Sequence, residues 1–415
     1  MSKKIKYQKD KKNIEDQYNK YIYPKPVSDI NLEIINKKIA SLADPNYSWH
    51  LLWPEKEHQS SKLKILIAGC GSDQAAILAM CNSKHNFYGI DLSKKSIDHQ
   101  NILKEKHQIN NLELFCDDFR NVEFDFKFDY IISSGVIHHL ENPITGIKYF
   151  KKYIKNDGVI CLMVYGDNQS YGLNKVKTLF QYLNLKQDSE SINISRNLIY
   201  NLPEDHPAKI FTKSAKDLSY DAGVIDLMLH NKEKFFNINE LIDILDENNL
   251  KIKNFFDARI FSLTKFFLDN DLIINKIRKL TIKKRLEISQ NLNWNDRKIE
   301  LIICKKLKKN KTKFDILEDG LDNLYFYPNR SLNYLIYENK ISVEEKFSKK
   351  IYNYNFNNYI YLDWKKVLSG KYQLSKIIKK SHHEKEIKRV LTLLLENHHL
   401  DLSLLPIEDY EKFYA

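Results

Sequence analysis

A doubly wound α/β sheet is what the sequence predicts between Leu63 and Tyr165, and three observations carry that reading. Short apolar runs alternate with longer amphipathic ones. The short runs are apolar throughout rather than at every second residue. The first of them breaks at a glycine turn that opens a helix. Strands without a polar face belong to a parallel sheet covered by helices on both sides. In chain order, "LKILIA" reads as a strand, "DQAAILAMC" as a helix, "NFYGID" as a strand and "KKSIDHQNILKEKHQI" as a helix. "LELFC" and "FDYIISS" are the next strands, "PITGIKYFKKYI" is a helix and "GVICLMVY" closes the set. Pro143 suits the first turn of its helix, and Asn156-Asp157-Gly158 reads as the stop before the last strand.

Around this core the chain divides into an arm, a lid and a tail. Residues 1–60 form a basic, partly helical N-terminal arm; its prolines at 24, 26, 45 and 54 end helices early, while Tyr21, Tyr23, Trp49 and Trp53 need to bury their rings. A packed arm follows. The main domain spans 61–313 and carries an insertion, about 166–235, whose Gly, Asn, Ser and Pro break the alternation; it is expected to cap the sheet as a lid. "NINELIDILDENNLKIKNFFD" then gives a helix and a strand, and "RKIELIICKK" a late strand pairing at the sheet edge. Residues 314–415 read as a small, mostly helical C-terminal domain, from the amphipathic "EKEIKRVLTLLLENHHL" after Tyr- and Asn-rich text.

Composition narrows the class. With 43% apolar and 12% aromatic residues in 415, the chain can bury a sizeable core and is not disordered. No apolar run approaches the ~20 residues of a membrane span. The charged start, "MSKKIKYQKDKK", lacks the apolar segment of a secretory signal. Cys70, Cys81, Cys116, Cys161 and Cys304 are scattered and never spaced as CxxC, so a reduced, cytoplasmic protein without a structural metal is expected. The net charge is +12, and Lys276–Lys313 holds fourteen Lys or Arg against three acids. That segment is either a solvated basic face or a track for an anionic partner such as nucleic acid.

The glycine turn "AGCGSD" is the functional signal. In a doubly wound sheet the ligand lies beyond the carboxyl ends of the strands, over the first strand–helix turn. Gly69, Cys70 and Gly71 occupy that turn. A dinucleotide fingerprint would need a third glycine where Gln74 stands, and Asp73 would face a pyrophosphate with negative charge. Asp91, twenty residues past Gly71 and ending "YGID", is placed to accept from both hydroxyls of an adenosine ribose. Asp117, after the third strand, suits the exocyclic amine of adenine, with its neighbour Asp118 as the competing candidate.

In order, "ILIAGCGSDQAA", "GIDLS", "CDD" and "FDYIISSGVIHHLENP", followed by "GVICLMVYG", resemble the motifs of class I S-adenosylmethionine-dependent methyltransferases. "YPKP" and "DAGVIDLMLHNKEKFFNINELIDIL" are similar to segments of a bacterial subgroup often joined to tetratricopeptide repeats. The resemblance implies a Rossmann-like methyltransferase sheet and S-adenosyl-L-methionine as cofactor. It implies a cofactor set of Ala68, Gly69, Cys70, Gly71, Asp73, Asp91, Leu92, Asp117, Asp118, Phe119, Ser134 and Gly135, the last two facing the methionine end. There is one departure: the family usually carries an acid late in the first strand, where this chain has Ile67. Either Asp73 substitutes for that acid or the subgroup varies there.

Methyl transfer from a sulfonium needs alignment more than covalent help, and a base only where the acceptor arrives protonated. Histidine titrates near neutrality, and "VIHHL" puts His138 and His139 just past the fourth strand, with one of the two expected to turn inward. Tyr165 ends the fifth strand beside the acceptor. His138 and Tyr165 are the catalytic candidates. Tyr171, His206 and His230 are candidates to line the lid, and Asp226 and His230, at i and i+4, lie on one face of a helix if a helix forms there. No metal is expected from two such ligands. The family's Asn-Pro-Pro-Tyr run for planar nitrogen acceptors is missing. The favoured acceptor is a small molecule; the alternatives are a nucleic-acid methyltransferase using residues 276–313 and a cofactor-binding protein without transfer.

Overall fold

The computed structural model describes residues 12, 14–31, 44–58, 62–213, 216–230, 233–256, 261–293, 298–329, 332–345, 349–356, 363–378 and 382–407. Seven strands form the main sheet: β1 (Lys64–Ala68), β2 (Asn86–Asp91), β3 (Leu112–Cys116), β4 (Phe128–Ser134), β5 (Ile154–Tyr165), β6 (Leu250–Phe255) and β7 (Lys298–Lys305). Their order is β3-β2-β1-β4-β5-β7-β6. All neighbours from β3 to β5 are parallel, and β7 runs antiparallel to both β5 and β6. Outward from β1, the order reverses between β1 and β4, which fixes the switch point where a ligand cleft opens.

Alternation along each strand explains why the runs are apolar throughout. Leu66, Ala68, Ile90, Ile131 and Leu162 face the layer that holds helices Pro143–Tyr153 and Ile238–Glu247. Ile65, Ile67, Phe87, Ile132 and Cys161 face the opposite layer, under helices Gln74–Cys81 and Lys94–Lys106. The arm completes that second layer, with Trp49 and Trp53 4.5 Å apart and Trp53 donating to the Asp157 carbonyl at 3.2 Å. Helix starts are capped as their sequences suggest. Ser93 accepts from Ser96, Asn142 accepts from Ile144 just before Pro143, and Asn237 accepts from Glu240.

Three details differ from expectation. The late strand β7 lies inside the sheet, and β6 forms the edge; pairing with both neighbours buries Leu301, Ile302 and Ile303 completely. Asn156-Asp157-Gly158 does not end a helix but forms an irregularity within β5, which starts at Ile154. The tail is not mostly helical. It holds β8 (Tyr325–Pro328), β9 (Leu332–Ile336), β10 (Lys340–Glu345), β11 (Ile351–Asn355) and β12 (Leu400–Ser403), paired as β11-β10-β9 and β12-β8 around the helix Glu384–Glu396. Its core also takes in Ile274, with Phe267 and Leu268 packed against it, so tail and main domain share apolar surface.

Among the described residues the insertion forms the α-helices Asp167–Tyr182, Ser189–Asn201, Pro207–Lys213 and Asp221–Met228 around their own cluster of Leu173, Phe180, Ile192, Val224 and Met228. Tyr21 of the arm packs against that cluster.

Candidate functional site

The glycine turn leaves β1 at the sheet's carboxyl edge. Gly69 and Gly71 both have left-handed backbones, φ +77° and +57°. The amides of Gly69 and Cys70 both donate to the Ile90 carbonyl, at 2.8 and 3.0 Å. A Cβ on Gly69 would stand 2.3 Å from a Val136 methyl carbon, so glycine is demanded there by conformation and by space. Gln100, fully buried on helix Lys94–Lys106, grips the turn. Its amide nitrogen donates to the carbonyls of Cys70 and Gly71, at 3.2 and 2.7 Å, and its oxygen accepts from Ala76 at 3.0 Å. Burial, then Asp91, pushes the Cys70 thiol up, so Cys70 is a packed thiol. Ala68 and Ile67 are fully buried in the sheet, and Ile67 belongs to the apolar layer under helix Gln74–Cys81. Asp73 is buried at that helix's N-terminus.

Asp91 faces the turn from the end of β2, with Leu92 following it. One carboxylate oxygen accepts from the Gly71 amide and the other from the Ser93 amide, both at 2.8 Å. Burial raises its pKa, and the two amides pull it back. A carboxylate offers about four lone-pair positions, so acceptor capacity remains for a diol. Beyond β3, Asp118 is committed to Arg120, accepting from its backbone amide at 2.9 Å and its guanidinium at 2.6 Å. Asp117 accepts from the Asp118 amide at 2.6 Å and from Asn121 at 3.2 Å. Phe119 stacks on Phe150 at 5.3 Å, so its ring is core. Ser134 ends β4. Gly135 follows with φ +76°, and the nearest heavy atom to a Cβ there would be 3.5 Å away, which keeps this side of the turn open.

Both histidines past β4 are buried, His138 at 1% and His139 at 6% exposure, although only one was expected inward. They sit on the short turn Ile137–His139 with ring centroids 4.1 Å apart. His138 lies 4.4 Å from Tyr165, and His139 stacks on His230 of the lid at 3.9 Å. Lys234 donates its amide to the His138 carbonyl, and Phe236 to that of Tyr165, at 2.9 and 2.8 Å. Of the lid candidates, His230 reaches this cluster. Tyr171 is half exposed beneath Lys175, and His206 accepts from Ala208 at the start of helix Pro207–Lys213.

Sequence reasoning missed the arm's part in the site. Tyr18 donates to Asp226 at 2.8 Å, and Tyr23 to Asp217 at 3.2 Å. Burial first, then Asp226, holds both phenols far above the usual tyrosine range. The same segment crosses the glycine turn and the end of β2: the Ser72 hydroxyl donates to the Pro24 carbonyl at 3.0 Å and the Ser93 hydroxyl to the Tyr18 carbonyl at 3.2 Å. A Cβ on Gly71 would lie 2.9 Å from the Pro24 ring. The crowding of tyrosines in "YNKYIYPKP" was the available signal.

Residues 66–160 match the family model described as Methyltransferase domain. That stretch is a methyltransferase domain. An uncharacterized protein of Synechococcus sp. is 21% identical over 60% of this chain, which spans 63% of that relative's length. The ubiquinone biosynthesis O-methyltransferase of Rickettsia typhi is 24% identical, covering 56% of this chain and 78% of its own. The structure of PKMT2 from Rickettsia typhi in complex with AdoHcy superposes with a TM-score of 0.60 at 16% identity, over 88% of this chain and 76% of that one. Nothing in these matches carries the tetratricopeptide link.

The basic segment near the end of the main domain is spread over several elements. It divides among the helices Asp271–Arg278 and Ile282–Leu292, β7 and a turn, and Arg278, Lys283, Lys306 and Lys311 pair with Glu396, Asp243, Asp246 and Asp319. Among the described residues, no helix is long and apolar enough to cross a membrane, and no group of three or more His, Cys, Asp and Glu is arranged to hold a metal ion.

Proposed function

We propose that the chain transfers the methyl group of S-adenosyl-L-methionine to a hydroxyl oxygen of a small molecule. The observation that carries this reading is Asp91 at the end of β2, recessed and directed at the left-handed turn Gly69–Gly71. A nucleoside fits there: the turn brings bare backbone to the cleft, Asp91 has acceptor capacity for a ribose diol, and Gly135 leaves room where the methionine end would pass. Asp117 is the better-placed acid for the adenine amine, since Asp118 is held by Arg120. The oxygen acceptor is supported by the O-methyltransferase names of the Rickettsia relatives. The enclosed lid and arm support a small acceptor over a polymer.

When bound, S-adenosylmethionine supplies an electrophilic methyl carbon on a good leaving group. The chain's own contribution is alignment and exclusion of water, effects worth ~7–11 kcal/mol in well-oriented systems. His138, buried between His139 and Tyr165, is placed to take the hydroxyl proton as the oxygen–carbon bond forms. Tyr165, 4.4 Å from His138, would wall the acceptor side.

Calorimetry of the full chain with S-adenosylhomocysteine tests the cofactor. Transfer of isotopic methyl label into fractionated cell extract tests the acceptor. Label is expected in the small-molecule fraction; label confined to RNA or protein would overturn the acceptor, and no binding at all would overturn the reading.

A further inference from the structure

We propose that Tyr18, carried in on the N-terminal arm, is a positioning residue of the acceptor site, setting Asp226 and His230 against the histidine pair of the β4 turn. The inference rests on the methyltransferase reading above and adds a residue that lies 45 positions upstream of the sheet's first predicted strand residue.

The rings form a continuous series. Tyr165 lies 4.4 Å from His138, His138 4.1 Å from His139, His139 3.9 Å from His230, and His230 6.1 Å from Tyr18. The far end of the series is closed by a hydrogen bond: the Tyr18 hydroxyl donates to Asp226 at 2.8 Å, with Asp226 on the helix Asp221–Met228 and His230 two residues past its end. Asp226 is 5% exposed, so its orientation is fixed by a few neighbours and the Tyr18 bond is one of them. Tyr18 is fixed in turn from the cofactor side. Its carbonyl and the side chain of Asn19 accept from Ser93, whose amide donates to Asp91. One residue of the arm thus touches the lid through its side chain and the cofactor edge through its backbone. Tyr23, Tyr165, Asp217 and Tyr220 are the other titratable groups facing this seam, with the histidine pair beside it.

A mere tether makes a different forecast. Tyr21, three residues on, also bonds the lid, donating to the Gln187 carbonyl at 3.2 Å, but it touches neither Asp226 nor the histidines. Tyr18→Phe and Tyr21→Phe each remove one arm–lid hydrogen bond and keep the ring. If the arm only straps the lid, the two variants behave alike.

The experiment uses the full chain with labelled histidine, following ring titration by NMR, and calorimetry with S-adenosylhomocysteine. Tyr18→Phe is expected to move the titration midpoints of His230 and His139 by about half a pH unit or more. Tyr21→Phe should leave them in place, and Tyr18→Phe should keep S-adenosylhomocysteine affinity within about threefold. Should Tyr18→Phe not fold, Asp226→Asn reports on the same link by lowering the His230 midpoint through loss of the carboxylate charge. Unmoved midpoints in both Tyr18→Phe and Asp226→Asn, or equal movement in Tyr18→Phe and Tyr21→Phe, overturn the positioning role alone. Failure of the unsubstituted chain to bind S-adenosylhomocysteine overturns the cofactor reading itself, and with it any role for Tyr18 in transfer.

Discussion

At the scale of the residue, Asp91 does two things at once. It satisfies the amides of Gly71 and Ser93, and it leaves acceptor capacity toward the cleft. Hydrogen bonds to charged groups contribute ~1.5–3 kcal/mol each. Asp91→Ala is therefore expected to weaken S-adenosylmethionine binding by at least ~10-fold in calorimetry, one decade being ~1.4 kcal/mol. Asp91→Asn, which keeps an acceptor without the charge, should lose less. Unchanged affinity in a folded Asp91→Ala protein would place the ligand elsewhere. Gly69→Ala should fail by another route, through the clash with Val136 and an unfavourable φ, and a lowered melting temperature would report it. These positions were legible in the sequence because a turn that needs positive φ, and an acid at fixed spacing after it, are local signals. Tyr18 and Gln100 were not legible. A tyrosine in a basic arm and a glutamine in a polar helix acquire their roles only when the chain folds them against the turn.

Among elements, the helix Lys94–Lys106 reaches the glycine turn through one of its side chains. Gln100 meets the carbonyls of Cys70 and Gly71 and the amide of Ala76, all in buried or part-buried surroundings. Gln100→Ala would leave these groups without that partner, at ~1–3 kcal/mol for each buried group that water cannot reach. A drop of several degrees in melting temperature is expected together with weaker S-adenosylhomocysteine binding, because the turn loosens. A lower melting temperature with unchanged affinity would show that the turn keeps its shape unaided. The parallel strands were readable from their unbroken apolar runs, since both faces are buried. The place of β7 was not: an apolar run reports burial, not which neighbours provide it. In the tail, "IYNYN" becomes β11 with Tyr352 and Tyr354 inward and Ile351, Asn353 and Asn355 outward, an alternation obscured because the buried rings carry hydroxyls and the aliphatic Ile351 faces out.

For the whole molecule, the tail is joined to the main domain by buried polar contacts. Asn397 accepts from the hydroxyls of Ser262 and Thr264, Arg278 pairs with Glu396, and His50 lies 3.1 Å from Asp401. The least comfortable member is Lys313. It is 5% exposed, and its ammonium nitrogen lies 2.7 Å from His398 and 3.2 Å from the Leu395 carbonyl. Burial pulls its pKa down to about 8 against Asp401, which pulls it up, and the same burial with Lys313 drives His398 well below the usual histidine range. Between pH 8 and the ordinary lysine value near 10.5, the unfolded chain carries a proton at this site that the folded chain has released. Stability should therefore rise with pH across that window, by up to roughly 3 kcal/mol. The buried thiols of Cys70, Cys81, Cys161 and Cys304, from about pH 9, and the buried phenols of Tyr334 and Tyr354, from about pH 10, oppose it, because all are held neutral in the fold while the unfolded chain ionises them. The Lys313 contribution is therefore read as the difference in melting midpoint between the unsubstituted chain and Lys313→Met from pH 7 to 9.5, in which the thiol and phenol contributions cancel. Lys313→Met, which fills the same space without the charge, should melt higher than the unsubstituted chain at pH 7, and its advantage should shrink as the pH rises to 9.5. A variant that melts lower at pH 7, by a difference that does not change with pH, would mean that Lys313 holds its charge through contacts stronger than its burial, and that the tail is docked by that charge rather than in spite of it.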